Sequence, residues 1–143
     1  FRLVASLNEI RRLDLGGVRV NPKNFSDLKA LKNMNCLILF RCELKDSDLE
    51  PVSKLKQLQT LIVSRNSITD KGVAHLSSLS NLLSLVIRDC PNVSETGLAE
   101  LKGMLPRCEI DHGIGIATPN EFKDIQDSWL ELQGKYHETL KGR

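Results

Sequence analysis

Three histidines, four cysteines and one glycine-punctuated run are the residues in this 143-residue chain whose types could do chemistry. His75, His112 and His137 stand apart, and none has a serine, cysteine or carboxylate at the spacing a known catalytic motif requires. Asp111-His112-Gly113-Ile114-Gly115 has the outline of a phosphate loop. It lacks the third glycine and the strand-helix-strand setting that lets backbone N–H groups cradle a phosphate, so it reads as a connector. The cysteines, Cys36, Cys42, Cys90 and Cys108, form no Cys-x-x-Cys, and no paired histidines complete a zinc set. Cys36 is expected on an open face, with nothing nearby to lower its pKa and make it reactive. The expectation is a protein with no catalytic residue, no metal and no cofactor.

Composition sets further bounds. The length suits one domain, and 41% apolar with 27% charged residues is ordinary for a water-soluble fold. Aromatic residues are only 4%, so aliphatic side chains must build the core. A formal charge of +2 is too small to argue for nucleic acid or an anionic membrane as partner. No apolar run reaches the ~18 residues that read as a membrane-spanning helix, and no charged-then-apolar leader is visible.

The elements that would position any site come from a repeat. Ile10, Met34, Leu58 and Leu82 each open a copy of one skeleton with a period of 24 residues. The second copy places Leu37, Leu39, Leu44, Leu49, Val52 and Leu55 in the register that Leu61, Val63, Ile68, Val73, Leu76 and Leu79 occupy in the third. In each, alternation by two gives way to spacing by three, so a short strand is followed by a helix. A fixed period of this length is the mark of a solenoid. Asp46 and Asp70 precede the second and third helices and are expected as N-caps, each contributing about 1 kcal/mol.

The first copy, with Leu13, Leu15, Val20, Phe25, Leu28 and Leu31, has an irregular turn at Gly16-Gly17 and Pro22; the fourth has one extra residue at Cys90-Pro91-Asn92. A fifth strand is expected over Leu105-Pro-Arg-Cys-Glu-Ile110, two residues early, with Cys108 at a core leucine position. Phe1, Val4 and Leu7 have the spacing of Val73, Leu76 and Leu79, so residues 1–9 read as the end of a preceding repeat or an N-terminal cap. A C-terminal portion of a longer protein is the expectation. Residues 10–112 are the repeats and 113–118 a connector. Residues 119–141 are a last helix, opened by the capping-box pattern Thr118-Pro119-Asn120-Glu121.

The L-x-x-L-x-L half-repeats, closed by Asn66 or by Cys42 and Cys90 at the equivalent place, resemble the leucine-rich repeat family. Ile68-Thr-Asp-Lys-Gly-Val73 and Val93-Ser-Glu-Thr-Gly-Leu98 are similar to the turn-helix of its short intracellular repeats, among them bacterial and planctomycete ones. The resemblance implies an α/β fold: a right-handed solenoid with a parallel β-sheet on the concave face, helices on the convex face and a C-terminal capping helix. It also implies that Cys42, Asn66 and Cys90 hydrogen-bond the turn backbone. Repeat geometry bears on the thiols as well: Cys42 and Cys90 stand two strands apart, roughly 10 Å, beyond the ~7 Å that a disulfide spans between Cα atoms. Free thiols in a reducing, intracellular and cytoplasmic setting are expected.

If the leucines point inward, their neighbours form outward rows on the concave face. One row is Arg12, Cys36, Thr60, Ser84 and Arg107; the next is Asp14, Ile38, Ile62, Val86 and Glu109. A third is Gly16, Phe40, Ser64, Arg88 and Asp111, and a fourth Gly17, Arg41, Arg65, Asp89 and His112. Ile38, Ile62, Val86 and Phe40 then form an apolar cluster rimmed by Arg41, Arg65 and Arg88, the composition of a protein-binding surface. Strand propensity alone, or a C-terminal helix folded back over the cluster, explains the same residues. In the last helix Phe122, Ile125, Trp129, Leu132, Tyr136 and Leu140 make a stripe that suits a cap over the open end of the core. The same stripe suits a docking helix or a homodimer seam. The function expected is binding of another protein through the concave face; the alternatives are a scaffold subunit docking through the last helix and the substrate-adaptor region of a larger protein.

Overall fold

The structure is a computed structural model, and it describes residues 9–113. The N-terminal triplet Phe1, Val4 and Leu7, most of the connector, and the last helix with Phe122, Trp129, Leu132 and Tyr136 lie outside the described residues.

Five strands of three residues each, β1 (Arg12–Asp14), β2 (Cys36–Ile38), β3 (Thr60–Ile62), β4 (Ser84–Val86) and β5 (Glu109–Asp111), form one sheet in the order β1-β2-β3-β4-β5. Every neighbouring pair is parallel, and Leu13, Leu37, Leu61 and Leu85 stand opposite one another in successive strands. Strands this short cannot hold a sheet by themselves. The ladder continues into the following turns, where Leu15, Leu39 and Val63 donate to the carbonyls of Ile38, Ile62 and Val86 at 2.8–2.9 Å. A nine-residue 3-10 stretch, Pro22–Ala30, follows β1; α-helices Asp46–Val52, Asp70–His75 and Glu95–Met104 follow β2, β3 and β4. The core lies between sheet and helices, with Phe25, Leu37, Leu49, Leu61, Leu76 and Leu85 at zero exposure. Parallel strands buried against helices in this way need both neighbours in place, which is why one copy cannot fold alone.

Two polar devices fix one copy to the next, the first of them buried. Asn66, 4% exposed, accepts from the backbone N–H groups of Cys42 and Leu44, both at 3.0 Å, and donates to the carbonyls of Leu39 and Val63, both at 2.8 Å. In the flanking copies the thiols of Cys42 and Cys90 donate instead to the carbonyls of Leu15 at 3.1 Å and Val63 at 3.5 Å. Burial pushes both thiols up from their ordinary pKa, as it does those of Cys36 and Cys108, and all four cysteines are free.

The second device corrects an expectation. Asp46 and Asp70 are the first residues inside their helices; Lys45, Thr69 and Ser94 hold the cap positions, and the Thr69 and Ser94 hydroxyls accept from Lys71 N–H and Gly97 N–H. The aspartates instead reach across to the next copy. Asp46 accepts from Thr69 N–H and its hydroxyl, both at 2.7 Å, and Asp70 from Ser94 N–H at 2.7 Å and its hydroxyl at 2.6 Å. For Asp46, partial burial pushes the carboxyl up, but the two Thr69 bonds, with Gly72 N–H and the Lys71 charge, together outweigh it and hold the pKa below the ordinary value. For Asp70 the Ser94 hydroxyl, then its N–H, do the same.

A carboxyl depressed in the folded state adds stability that is complete above its unfolded pKa of about 4 and is lost as pH falls through the folded value. The melting temperature is therefore expected to be level from neutral pH down to about pH 5 and to fall below about pH 4. Thermal melts across that range check it, and a variant with asparagine at both Asp46 and Asp70 should show a shallower acid limb.

The fifth strand is out of the expected register. Ser84 pairs with Glu109 and Val86 with Asp111, so Arg107 precedes the strand and Glu109 and Asp111 replace Arg107 and Glu109 in the two rows. The physical reason is the turn. Met34, Leu58 and Leu82 each donate a backbone N–H to the residue three before, and Cys108 makes that bond to Leu105. Cys108, with zero exposure, therefore opens the fifth copy in the place of an aliphatic residue.

Candidate protein-binding face

Strand register brings the face residues together. Ile38 pairs with Ile62 and Ile62 with Val86, so the three lie side by side across β2, β3 and β4. Ile62 and Val86 are half-buried, as is Phe40 in the turn after β2. Ile38 departs from the expected open position, at 3% exposed and outside the main core cluster. It stands between its register partners Asp14 and Ile62, with half-buried Cys36 and Phe40 two residues to either side on the same face. The apolar surface that remains reachable is Ile62, Val86 and Phe40.

The three expected arginines differ in their surroundings. Arg88 donates from Nε and a terminal nitrogen to the two carboxylate oxygens of Asp111 at 2.8 and 2.6 Å, a bidentate fork. That fork, ahead of partial burial, holds the Asp111 carboxyl below its ordinary pKa. Arg65 donates from Nε to Asp89 at 3.0 Å, and its guanidinium lies 5.6 Å from the centre of the Phe40 ring, within cation-π range. Both members of the Arg65–Asp89 pair are about one-third exposed, so it orients the side chains more than it stabilises the fold. Arg41 is exposed at the end of β2's turn.

Asp89 and Asp111 are the residues that the sequence pattern did not single out. The signal was present, since Asp89 follows Arg65 by one repeat and Asp111 follows Arg88 by 23 residues, which places the members of each pair in adjacent copies. Below the face, Ser64 is buried and its hydroxyl accepts from Arg88 N–H at 3.0 Å, fixing the turn from which Arg88 projects.

Among the described residues no three His, Cys, Asp or Glu side chains gather as a metal site, and no helix is long and apolar enough to cross a membrane. A second concavity, about 480 Å³, lies beyond the fourth copy, lined by Ile87, Asp89, Cys90, Pro91, Val93, Glu95, Leu98, His112 and Gly113. On the sheet, the apolar side chains of Ile62, Val86 and Phe40 are bordered by the oriented charges of Arg65 and Arg88.

No family model matches the chain, and no curated protein matches it in sequence. Among solved structures it is similar to leiomodin-1 actin-binding site 2, at 13% identity and a TM-score of 0.62, over 99% of this chain and 95% of that one. The chain has a leucine-rich-repeat-like fold. At that identity the likeness extends to the fold alone. Internalin C2 from Listeria monocytogenes is 23% identical over 81% of this chain and 58% of its own length, with a TM-score of 0.49, a level at which it carries no argument.

Proposed function

We propose that this chain is a non-enzymatic recognition module that holds another protein on the concave face of its sheet. The observation that carries the reading is the pairing of Ile62 with Val86, two half-buried aliphatic side chains on the face opposite the core, beside Phe40 and the oriented guanidinium of Arg65. An apolar centre with an arginine border is what protein interfaces select. The similar leiomodin-1 structure is described as an actin-binding site, which supports a protein-contact role for a fold of this outline.

A right-handed winding is supported by the strong preference of parallel crossovers for that hand. The Thr69-Asp70 and Ser94-Glu95 turns, each followed by a glycine one turn later, support the short intracellular repeat type, and four thiols kept apart support a reducing compartment. The apolar stripe from Phe122 to Leu140 supports a cap over the last copy, with docking of a larger assembly, or of a second copy of the chain, as its other use.

Ile62→Asp is expected to abolish partner capture while lowering the melting temperature little, because a charge on a half-exposed site keeps its water. Affinity capture from lysate with wild type, Ile62→Asp, Trp129→Ala and the convex-face control Lys71→Glu checks this. Loss with Ile62→Asp alone supports the concave face; capture unchanged by Ile62→Asp but lost with a folded Trp129→Ala would move the contact to the last helix.

A further inference from the structure

One turn position recurs in every copy with the same unusual backbone. Gly17, Arg41, Arg65 and Asp89 follow one another at intervals of 24 residues, and all four have φ between 53° and 74°; Glu43 shares that region at 58°. This left-handed conformation suits glycine, and any residue with a Cβ is disfavoured there. The first copy uses glycine; the next three do not.

Side chains held at a disfavoured backbone invite a reason. Of the four that carry a side chain, Arg41, Glu43, Arg65 and Asp89, three form ion pairs within the chain: Glu43 pairs with Arg19 at 3.2 Å, and Arg65 and Asp89 pair with each other at 3.0 Å. Arg41 makes no ion pair among the described residues. Its neighbour in the next copy is Arg65, a like charge already turned toward Asp89 and the Phe40 ring. The column therefore supplies an anion to Arg65 and none to Arg41, which stands exposed next to Phe40 and across the turn from β3. At the other end of the face Asp89, Glu109 and Asp111 are carboxylates, which disfavour a uniformly anionic ligand such as a nucleic acid.

We propose that the face takes an acidic segment of a partner protein, with a carboxylate on Arg41 and a neighbouring apolar side chain over Ile62 and Val86. The assignment rests on the concave-face reading and names its partner's chemistry. Arg41 is then kept at a strained position for the contact that its guanidinium makes.

The test is selection of a random twelve-residue peptide library on the full chain, followed by affinity measurements with one enriched synthetic peptide. The peptides are expected to carry an excess of Asp or Glu within a few residues of Leu, Ile, Phe or Trp. Affinity is expected to fall about tenfold with Arg41→Gly and further with Arg41→Glu, the scale of one charge-assisted contact. Arg41→Gly should also melt higher than wild type by roughly 4 °C, so that weaker binding is not loss of fold. Peptides that are lost with Ile62→Asp yet show no acidic excess, or bind Arg41→Glu unchanged, would overturn the acidic partner and leave the concave face standing. Selection of no peptide sensitive to Ile62→Asp would overturn both.

Discussion

Replacing Asn66 with alanine is expected to lower the unfolding free energy by about 3–5 kcal/mol, a large share of the 5–15 kcal/mol typical of a domain. The side chain is buried and serves five partners in two copies: it accepts from Cys42 and Leu44 and donates to Leu39, Val63 and Ser64. Alanine leaves two N–H groups without an acceptor in a site that water does not reach, and each such orphan costs about 1–3 kcal/mol. Denaturant titration should show the midpoint falling with an unchanged slope, the sign of lost stability within the same fold. Asn66→Cys, which installs the thiol that the flanking copies use, should recover part of the loss. A midpoint within experimental error of wild type for Asn66→Ala would show that the turn finds other partners.

Gly72→Ala is expected to destabilise by about 1–3 kcal/mol although alanine is the better helix former. A Cβ at that position would meet Asp46 Oδ1 at 2.5 Å and Asp46 Cα at 3.0 Å, so the clamp carboxylate and the neighbouring backbone would both have to move. Gly103 is the internal control. It lies in the helix Glu95–Met104, where an added Cβ would meet nothing within 4 Å, so Gly103→Ala should stabilise by about 0.5–1 kcal/mol. Opposite signs for the same substitution in two helices, read by thermal or denaturant melts, would establish that close packing of copies, and not helix propensity, decides at Gly72. Equal signs would contradict it.

These two sites mark what the residues disclose and what they do not. The register of the first four strands was legible because Leu37, Leu61 and Leu85 recur at a fixed interval, and the structure pairs them. The register of the fifth strand was not, because Leu105 reads as its opening residue and so sets Cys108 inside the strand, whereas Leu105 closes the preceding copy and Cys108 lies in the turn before the strand. Asp46 and Asp70 were visible as helix-start residues, but their partners are one copy away, and local spacing favours the local cap.

The candidate face was half legible. Alternation placed Ile62, Val86 and Phe40 on it, yet could not show that Ile38 is closed off or that Arg65 and Arg88 are held by Asp89 and Asp111. The left-handed column was hidden for a related reason. Glycine marks it in only one of its four members, and arginine and aspartate give no hint of a positive φ.

The central claim, that another protein sits on this face, is tested most directly by placing a photo-crosslinking amino acid at Ser84, half-buried in the row beside Val86, and at Lys71 on the convex side as control. Irradiation in lysate is expected to give a discrete protein adduct from the Ser84 position that disappears when Ile62→Asp is added, and none from Lys71. A discrete adduct from Lys71 with none from Ser84 would contradict the account and place the contact on the helical side.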